Sequence, residues 1–586
     1  MQIVRLQIER FRAIREATIF PTASNALLGP NNIGKTAVLE ALNLLLTSHG
    51  STRSALVDEN DFYQRQYVAA NGTAPAIKIE AVLTGLTDED ADLFDGVLVP
   101  WSAEHQNVVE RAESGTDPFV GAERAIRPCF EAWFDAEEDA FTWLAFHRTD
   151  LLQPREKCER FTPKQKRAIG FLIYRDFRAL HRPITLEPTG LFDRVLTATG
   201  SSARNFEAIF DRLAGAGGPL VEDDAFKSSL TAFADELARY LPVAPGEAPL
   251  RFEATDRTRT QARATLQLYV EGPTALPLQK HGAGTRSLAV LAMLLVILRT
   301  RGRGILALEE PETFLFPHAQ RRVIEEVQRL AQQLFVTTHS PTILERLPIT
   351  SLHRMHRAID DTLTMTPVAS DTSIVKNVRR RLRRQLAEAF LGRAAVVVEE
   401  EATRIWLLQA SSLLHGQVYD GEVCEAFDLA GISVISADGN GQVPELCDLL
   451  QRAGVTAFGL IDATKGISPV EASKFPMARI VHHDAMGLED LLVASLGREA
   501  ITAAMTEGPY VKEHSLTESM TALDAPAFDA KAREFLRHNK GSIPFHEWLA
   551  DRTPLATMPV ALRKAVVLGL RVAGGREHLT SATRAL

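Results

Sequence analysis

Gly29-Pro30-Asn31-Asn32-Ile33-Gly34-Lys35-Thr36 is the stretch whose reading decides the fold. It has the spacing GxxxxGK[ST], and its surroundings suit that spacing. Upstream, Val4, Leu6 and Ile8 alternate with Arg5, Gln7 and Glu9, the period of a strand. A turn and a second strand then lead into the loop. Downstream, Val38, Leu39, Leu42, Leu45 and Leu46 fall on one side of a helix that begins at Lys35. In such a strand–loop–helix unit, Gly29 and Gly34 let backbone N–H groups, those of Asn31 and Asn32 among them, face phosphate oxygens. The helix N-terminus adds its dipole. Lys35 would reach the β- and γ-phosphates of ATP, and Thr36 would hold Mg²⁺. A glycine loop also arises by chance, but the correct element on each side argues against that here.

The partner motifs lie far downstream. Ile305-Leu306-Ala307-Leu308-Glu309-Glu310 is an apolar strand ending in two carboxylates. Glu309 would bind Mg²⁺ through water, and Glu310 would polarise an attacking water. A strand end of this kind is commonly just a solvated edge. Here Pro311-Glu312 follows it, and a further strand leads into Thr338-His339-Ser340-Pro341. Gly282-Ala283-Gly284-Thr285 opens the apolar helix before the Glu309 strand. This set resembles the ABC-type ATPases. The resemblance implies that His339 senses the γ-phosphate. It also implies that Gly282, Gly284 and Thr285 contact the nucleotide of an opposite subunit. A glycine stands where the transporter signature has serine. One phosphate loop and one signature per chain imply a homodimer, or a tetramer built from dimers.

The rest of the chain sets bounds. At 586 residues, two to four domains are expected. The longest apolar run, residues 288–298, is too short to span a bilayer, so no membrane partner is expected. Cys129, Cys158, Cys424 and Cys447 are scattered, with no CxxC pair, which suits a reducing cytoplasm. The net charge of −9 gives no global attraction to nucleic acid, so any DNA contact needs a local basic patch. Arg379-Arg380-Arg381-Leu382-Arg383-Arg384 is the candidate. It reads as a solvated helical connector slightly ahead of a phosphate-tracking surface. Helical patterns at 164–180 and 201–213 make the region 95–250 read as mostly helical. A polar stretch at 360–373 reads as a linker, and the last 80 or so residues read as mostly helical.

After the basic helix a second α/β unit begins. Val396-Val397-Val398-Glu399 is a strand ending in a carboxylate. Residues 433–441 place Gly439 and Gly441 after the next strand. Gly459-Leu460-Ile461-Asp462-Ala463-Thr464 ends a third strand on an acid, and Leu488-Glu489-Asp490-Leu491-Leu492 and Lys540-Gly541 follow. These segments, with those of the ATPase, resemble the OLD (overcoming lysogenization defect) family, which includes the Gabija antiphage nucleases. The resemblance covers nearly the whole chain; within 95–250 it is one of length and position only.

The resemblance implies an α/β chain of six parts: residues 1–95, first part of an ABC-type ATPase head; 96–250, an inserted, mostly helical dimerisation region; 251–358, the second part of the head; 359–391, a linker and basic helix; 392–505, a TOPRIM nuclease domain; and 506–586, a helical C-terminal region completing the nuclease site. Glu399, Asp462 and Glu489 would hold Mg²⁺, or Mn²⁺, at a scissile phosphate of DNA. Lys540 would stabilise its charge, although a surface lysine reads equally well there. A helicase-like protein of the same defence system is an implied partner.

Two positions depart from the family. Glu400 replaces its glycine, and Thr464 replaces the second aspartate of its Asp-x-Asp pair. Losing a carboxylate weakens one ion's hold, and Glu400, Glu401 and Asp438 are the nearby candidates to compensate. Glu401 and Asp490 read as solvated acids. An ATPase sensor with a non-cleaving TOPRIM domain is therefore the competing reading. A recombination-type repair ATPase is disfavoured, because the insertion has no sustained heptads.

Overall fold

The alternation at the start of the chain folds as β1 (Gln2–Phe11), with Leu6, Ile8 and Phe11 fully buried. The computed structural model describes residues 1–48, 56–68, 75–109, 119–150, 153–175, 191–198, 224–240, 250–254, 266–270, 276–358, 360–368, 380–437, 439–462, 473–509, 523–579 and 583–586. These form two compact units, Met1–Thr366 and Pro367–Leu586.

In the first unit β1 pairs antiparallel with β2 (Ile14–Ile19), and β3 (Ser24–Leu28) runs into the glycine loop. Helix α1 (Lys35–Leu46) follows, with all the expected apolar positions buried. The other strands of the main sheet are β4 (Ile77–Thr84), β5 (Phe171–Tyr174), β6 (Ile305–Glu309), β7 (Gln333–Thr337), β8 (Leu352–Arg357) and β9 (Thr362–Pro367). They lie in the order β5-β6-β7-β3-β8-β9-β2-β1-β4. From β5 to β8 the neighbours are parallel. Helix α2 (Ala283–Arg301) is buried throughout from Ser287 to Leu298. It packs on α3 (Pro317–Leu330) and on the helices Leu191–Ala198 and Asp224–Ala238. Among the described residues it is the one helix long and apolar enough to cross a membrane, at mean hydropathy 1.5, yet 67% of that stretch is covered by the unit itself.

Three expectations need correction. The inserted region is not mostly helical where described: Leu98–Ser102, Asn107–Val108, Glu123–Ile126, Pro128–Asp135 and Ala140–His147 are strands that extend the sheet beyond β4. The last two form a hairpin, rich in Phe and Trp, whose first strand pairs with β4 and continues its buried face. Within 164–180, the described residues form a helix only over Pro163–Ile169. Gly170, at φ 73, then turns the chain into β5, which pairs in parallel with β6. The polar stretch at 360–373 begins as β9, because Leu363 alternates inward and is fully buried against the sheet. The pattern at 201–213 lies outside the described residues.

The second unit is a five-stranded, all-parallel sheet. Helix α4 (Arg380–Leu391) precedes β10 (Ala394–Val398), and α5 (Glu401–Leu414) follows it. With β11 (Ile432–Ser436), β12 (Thr456–Ile461), β13 (Ile480–His482) and β14 (Thr583–Ala585), the order is β11-β10-β12-β13-β14. A parallel sheet must be covered on both faces. Helices α6 (Leu488–Ser495), α7 (Ala525–His538), α8 (Ile543–Arg552) and α9 (Val560–Ala573) share its core with α5. The C-terminal residues are mostly helical where described, and they supply three core helices and an edge strand. The four cysteines are unpaired and buried, Cys129 and Cys158 in the first unit, Cys424 and Cys447 in the second.

Gly459 sits mid-strand in β12, where a Cβ would fall 2.4 Å from Val443 Cγ1 and 2.6 Å from Ile480 Cδ1. Gly459→Ala should destabilise the second unit by about 1–3 kcal/mol through overpacking. Urea unfolding checks this; an unchanged midpoint would mean that both neighbours repack without cost.

Candidate functional site

Three adjacent parallel strands deliver their ends to one edge of the first unit. Glu309 of β6 is level with Thr337 of β7, which is level with Leu27 of β3. The residues that follow are Glu310, Thr338-His339 and the glycine loop. Ligands of open parallel sheets bind outside such carboxyl ends. A cavity of about 790 Å³ lies there, lined by Asn31, Asn32, Gly34, Lys35, Thr36, Ala37, Glu310 and His339, with Arg12 and Ala13.

The loop is held in conformations that suit its residues. Gly29 has φ 150, and a Cβ there would meet the Met355 carbonyl at 3.0 Å. Gly34, at φ 119, caps α1. Asn32 takes the left-handed region, at φ 64. Lys35 is only 8% exposed. Its Nζ donates to the carbonyls of Gly29 (2.8 Å) and Pro30 (3.0 Å), so it ties the loop to the helix as well as facing the cavity. Burial lowers its pKa, and the charge of Glu310 opposes that shift. Glu310 adopts φ 42 and puts a carboxylate oxygen 3.7 Å from His339 Nε2.

Sequence reasoning missed two arginines. Arg12 lies in the turn between β1 and β2, and its Nε is 2.8 Å from Asp61 Oδ1. Arg175 follows β5, pairs with Glu40 and feels the charges of Glu309 and Arg12. Neither stands in a motif; only the pairing of β5 with β6 brings Arg175 near Glu309. Gly282 caps α2, but Gly282, Gly284 and Thr285 do not line this cavity. Gly284 instead lies against the loop after β6, where a Cβ would be 2.8 Å from the Phe314 carbonyl.

The second unit gathers a different group. Val398 of β10 is level with Leu460 of β12, so Glu399 and Asp462 emerge at the same edge of the sheet. Asp462 and Glu489 are 6% and 8% exposed. Lys540, between α7 and α8, places Nζ 2.9 Å from Glu400 and 3.9 Å from Glu489. Burial raises the pKa of Glu400, and Lys540 opposes that rise. Glu401 pairs with Arg404 at 2.8 Å, and Asp490 with Arg533 at 2.7 Å. The carboxylate donors suit a hard divalent cation in kind. Among the described residues, however, no three His, Cys, Asp or Glu side chains are gathered closely enough to hold one. Thr464 and Asp438 lie outside the described residues, as does Arg379 of the basic run. Where its side chains are described, Arg384 is exposed and paired with Glu388 at 3.4 Å.

Comparison with known proteins adds a relationship. An OLD nuclease of Thermus scotoductus is 23% identical over 453 residues, 73% of this chain and 77% of that protein. The chain is similar to an OLD nuclease. Residues 147–345 match the family described as "AAA domain, putative AbiEii toxin, Type IV TA system", a span that contains Glu309, Glu310 and His339 but not the glycine loop. Solved structures similar to it include an Smc head bound to ScpA from Pyrococcus furiosus (10% identity, TM-score 0.38, covering 64% of this chain and 99% of that one). Another is the SMC head domain from Thermotoga maritima (12%, 0.29, 63% and 100%). The OLD relationship and the AAA match support an enzyme with an ATPase domain and nuclease kinship. The strand order and the shared edge of β3, β6 and β7 give the nucleotide-type pocket independently.

Proposed function

We propose that the chain is an ATP-regulated, Mg²⁺-dependent DNA endonuclease of antiphage type, similar to the Gabija nucleases, acting as a homodimer or tetramer. The observation that supports the nuclease half is Lys540 set between Glu400 and Glu489, 2.9 and 3.9 Å away, in the unit whose adjacent strands β10 and β12 end at Glu399 and Asp462. A parallel sheet with acids following its central strands is what the TOPRIM expectation asks for. Glu399, Asp462 and Glu489 would have to draw together to hold Mg²⁺ or Mn²⁺, which would supply Lewis acidity at a scissile phosphate. Lys540 would exchange Glu400 for a phosphate oxygen and neutralise its charge.

In the first unit the loop N–H groups and Lys35 would bind the phosphates, Thr36 and Glu309 would hold the metal of ATP, Glu310 would polarise the water and His339 would contact the γ-phosphate. The Gly282–Thr285 segment of a second copy would complete the pocket, since the same chain's segment does not line it. Arg383 and Arg384 offer a basic surface for DNA, and a helicase-like protein is the partner that fits such a system.

A non-cleaving sensor is the second reading, favoured by the Glu400–Lys540 pair, which occupies the lysine. Supercoiled plasmid incubated with Mg²⁺ or Mn²⁺, with and without ATP, separates the two. The nuclease yields nicked or linear DNA. Retarded but intact plasmid in every condition would leave the sensor.

A further inference from the structure

Glu312 lies outside the cavity yet reaches the residues that form its wall. Its carboxylate accepts the backbone N–H of His339 at Oε1 (2.6 Å) and the hydroxyl of Thr338 at Oε2 (2.8 Å). The Thr338 oxygen in turn accepts the Ser340 N–H at 3.0 Å. The Ser340 hydroxyl donates to Gln320 Oε1 at 2.6 Å, and Gln320 Nε2 donates to the Leu315 carbonyl at 2.8 Å. The segment after β6 is thus stitched to the segment after β7 by side chains at both ends. On the cavity side, Glu310 and Thr337 join the same two segments through Glu310 N–H to Thr337 O, 2.9 Å.

The histidine ring itself is 45% exposed, with Glu310 at 3.7 Å. Packing therefore does little to orient it. The grip on its backbone does more, because a backbone fixed at N–H narrows the arc the ring can sweep. A carboxylate accepting from a backbone N–H is a strong, charge-assisted bond, and half-burial sharpens it.

We infer that Glu312 is a positioning residue for nucleotide hydrolysis: it holds the Thr338-His339-Ser340 turn so that His339 faces Glu310 and the terminal phosphate. The inference rests on the assignment of the first-unit cavity as the ATP site. Glu312 does not line the cavity in which a nucleotide would sit. Its removal therefore acts on turnover, not on affinity, which the glycine loop and Lys35 supply. The neighbouring loop also carries Phe314 and Phe316, 59% and 74% exposed. Glu312 thus joins the His339 turn to the loop that carries these two exposed rings.

The test is steady-state ATP hydrolysis and calorimetric ATP binding for full-length Glu312→Ala, Glu312→Gln, His339→Ala and the double variant Glu312→Ala/His339→Ala. Glu312→Ala should lower kcat by roughly 10- to 100-fold, the scale of one or two charge-assisted bonds, with the ATP Kd within about threefold of wild type. Glu312→Gln keeps an acceptor for the His339 N–H and should recover most of the rate. If Glu312 works through His339, the double variant should turn over no slower than His339→Ala alone, since residues acting as one unit are not additive. Multiplicative losses, or an ATP affinity that falls as far as kcat, would overturn the positioning role. A His339→Ala protein at wild-type rate would overturn the reading of the cavity along with it. Thr338→Val removes one arm of the grip with little change of volume; an intermediate loss of kcat is expected, and an unchanged rate in both it and Glu312→Ala refutes the proposal.

Discussion

Lys35→Ala is expected to weaken ATP binding by roughly 100- to 1,000-fold, the largest single effect on the first unit. Two charge-assisted bonds to phosphate oxygens, each worth about 1.5–2 kcal/mol, would be lost together. The structure adds a second cost. Lys35 Nζ holds the Gly29 and Pro30 carbonyls, so the alanine variant also loosens the loop that would receive the phosphates. The damage stays local, because the strands and α1 keep their packing. Calorimetric titration with ATP, beside a thermal scan, checks both halves. Wild-type affinity would remove the phosphate-loop assignment. A collapse of the melting transition would mean that the lysine's tie to the loop matters to the fold.

Asp462→Ala and Glu399→Ala are each expected to reduce DNA cleavage by at least about 1,000-fold, the scale of several kcal/mol lost when a metal's anionic ligand is removed. Each acid ends a central strand, β12 and β10, at the same edge, so neither has an equivalent neighbour in the sheet. With threonine at 464, the wild-type enzyme should need high Mg²⁺ or prefer Mn²⁺. Thr464→Asp should then lower the metal requirement. Plasmid cleavage across a metal titration for wild type and these variants is the measurement. If Asp462→Ala cuts as well as wild type, the second-unit site is misassigned. If only Thr464→Asp cuts, the natural chain is a sensor.

What the sequence revealed follows from how local each signal is. The loop at 29–36 is contiguous, and its flanking strand and helix have clean periods, so its place was legible, as were β6 and β7 with their terminal acids and His339. The expectation failed where partners lie far apart in the chain. Phe171-Leu172-Ile173-Tyr174 reads on from the helical pattern before it, but Gly170 ends the helix first, and the role of these residues depends on a strand more than 130 residues later. The hairpin Pro128–Asp135 and Ala140–His147 carries charged and small residues among its aromatics. Its strand character comes from completing the face of β4. Arg12 reaches the cavity, and Arg175 the neighbourhood of Glu309, only through tertiary pairing. In the second unit the acids at strand ends were readable. The grip of Glu400 on Lys540 was not, because it joins the N-terminus of α5 to the segment between α7 and α8.

The buried cysteines have a practical corollary. Each is below 8% exposed, and burial raises the pKa of every one of these thiols. A thiol reagent in water attacks the thiolate, so the folded chain is chemically silent until a segment opens. With one pair of sulfurs in each unit, the labelling rate of Cys129 and Cys158 times the breathing of the nucleotide-type unit, and that of Cys424 and Cys447 times the other. The natural sequence is therefore its own two-channel clock for whether an added nucleotide or metal ion changes the opening of either half, with no introduced probe.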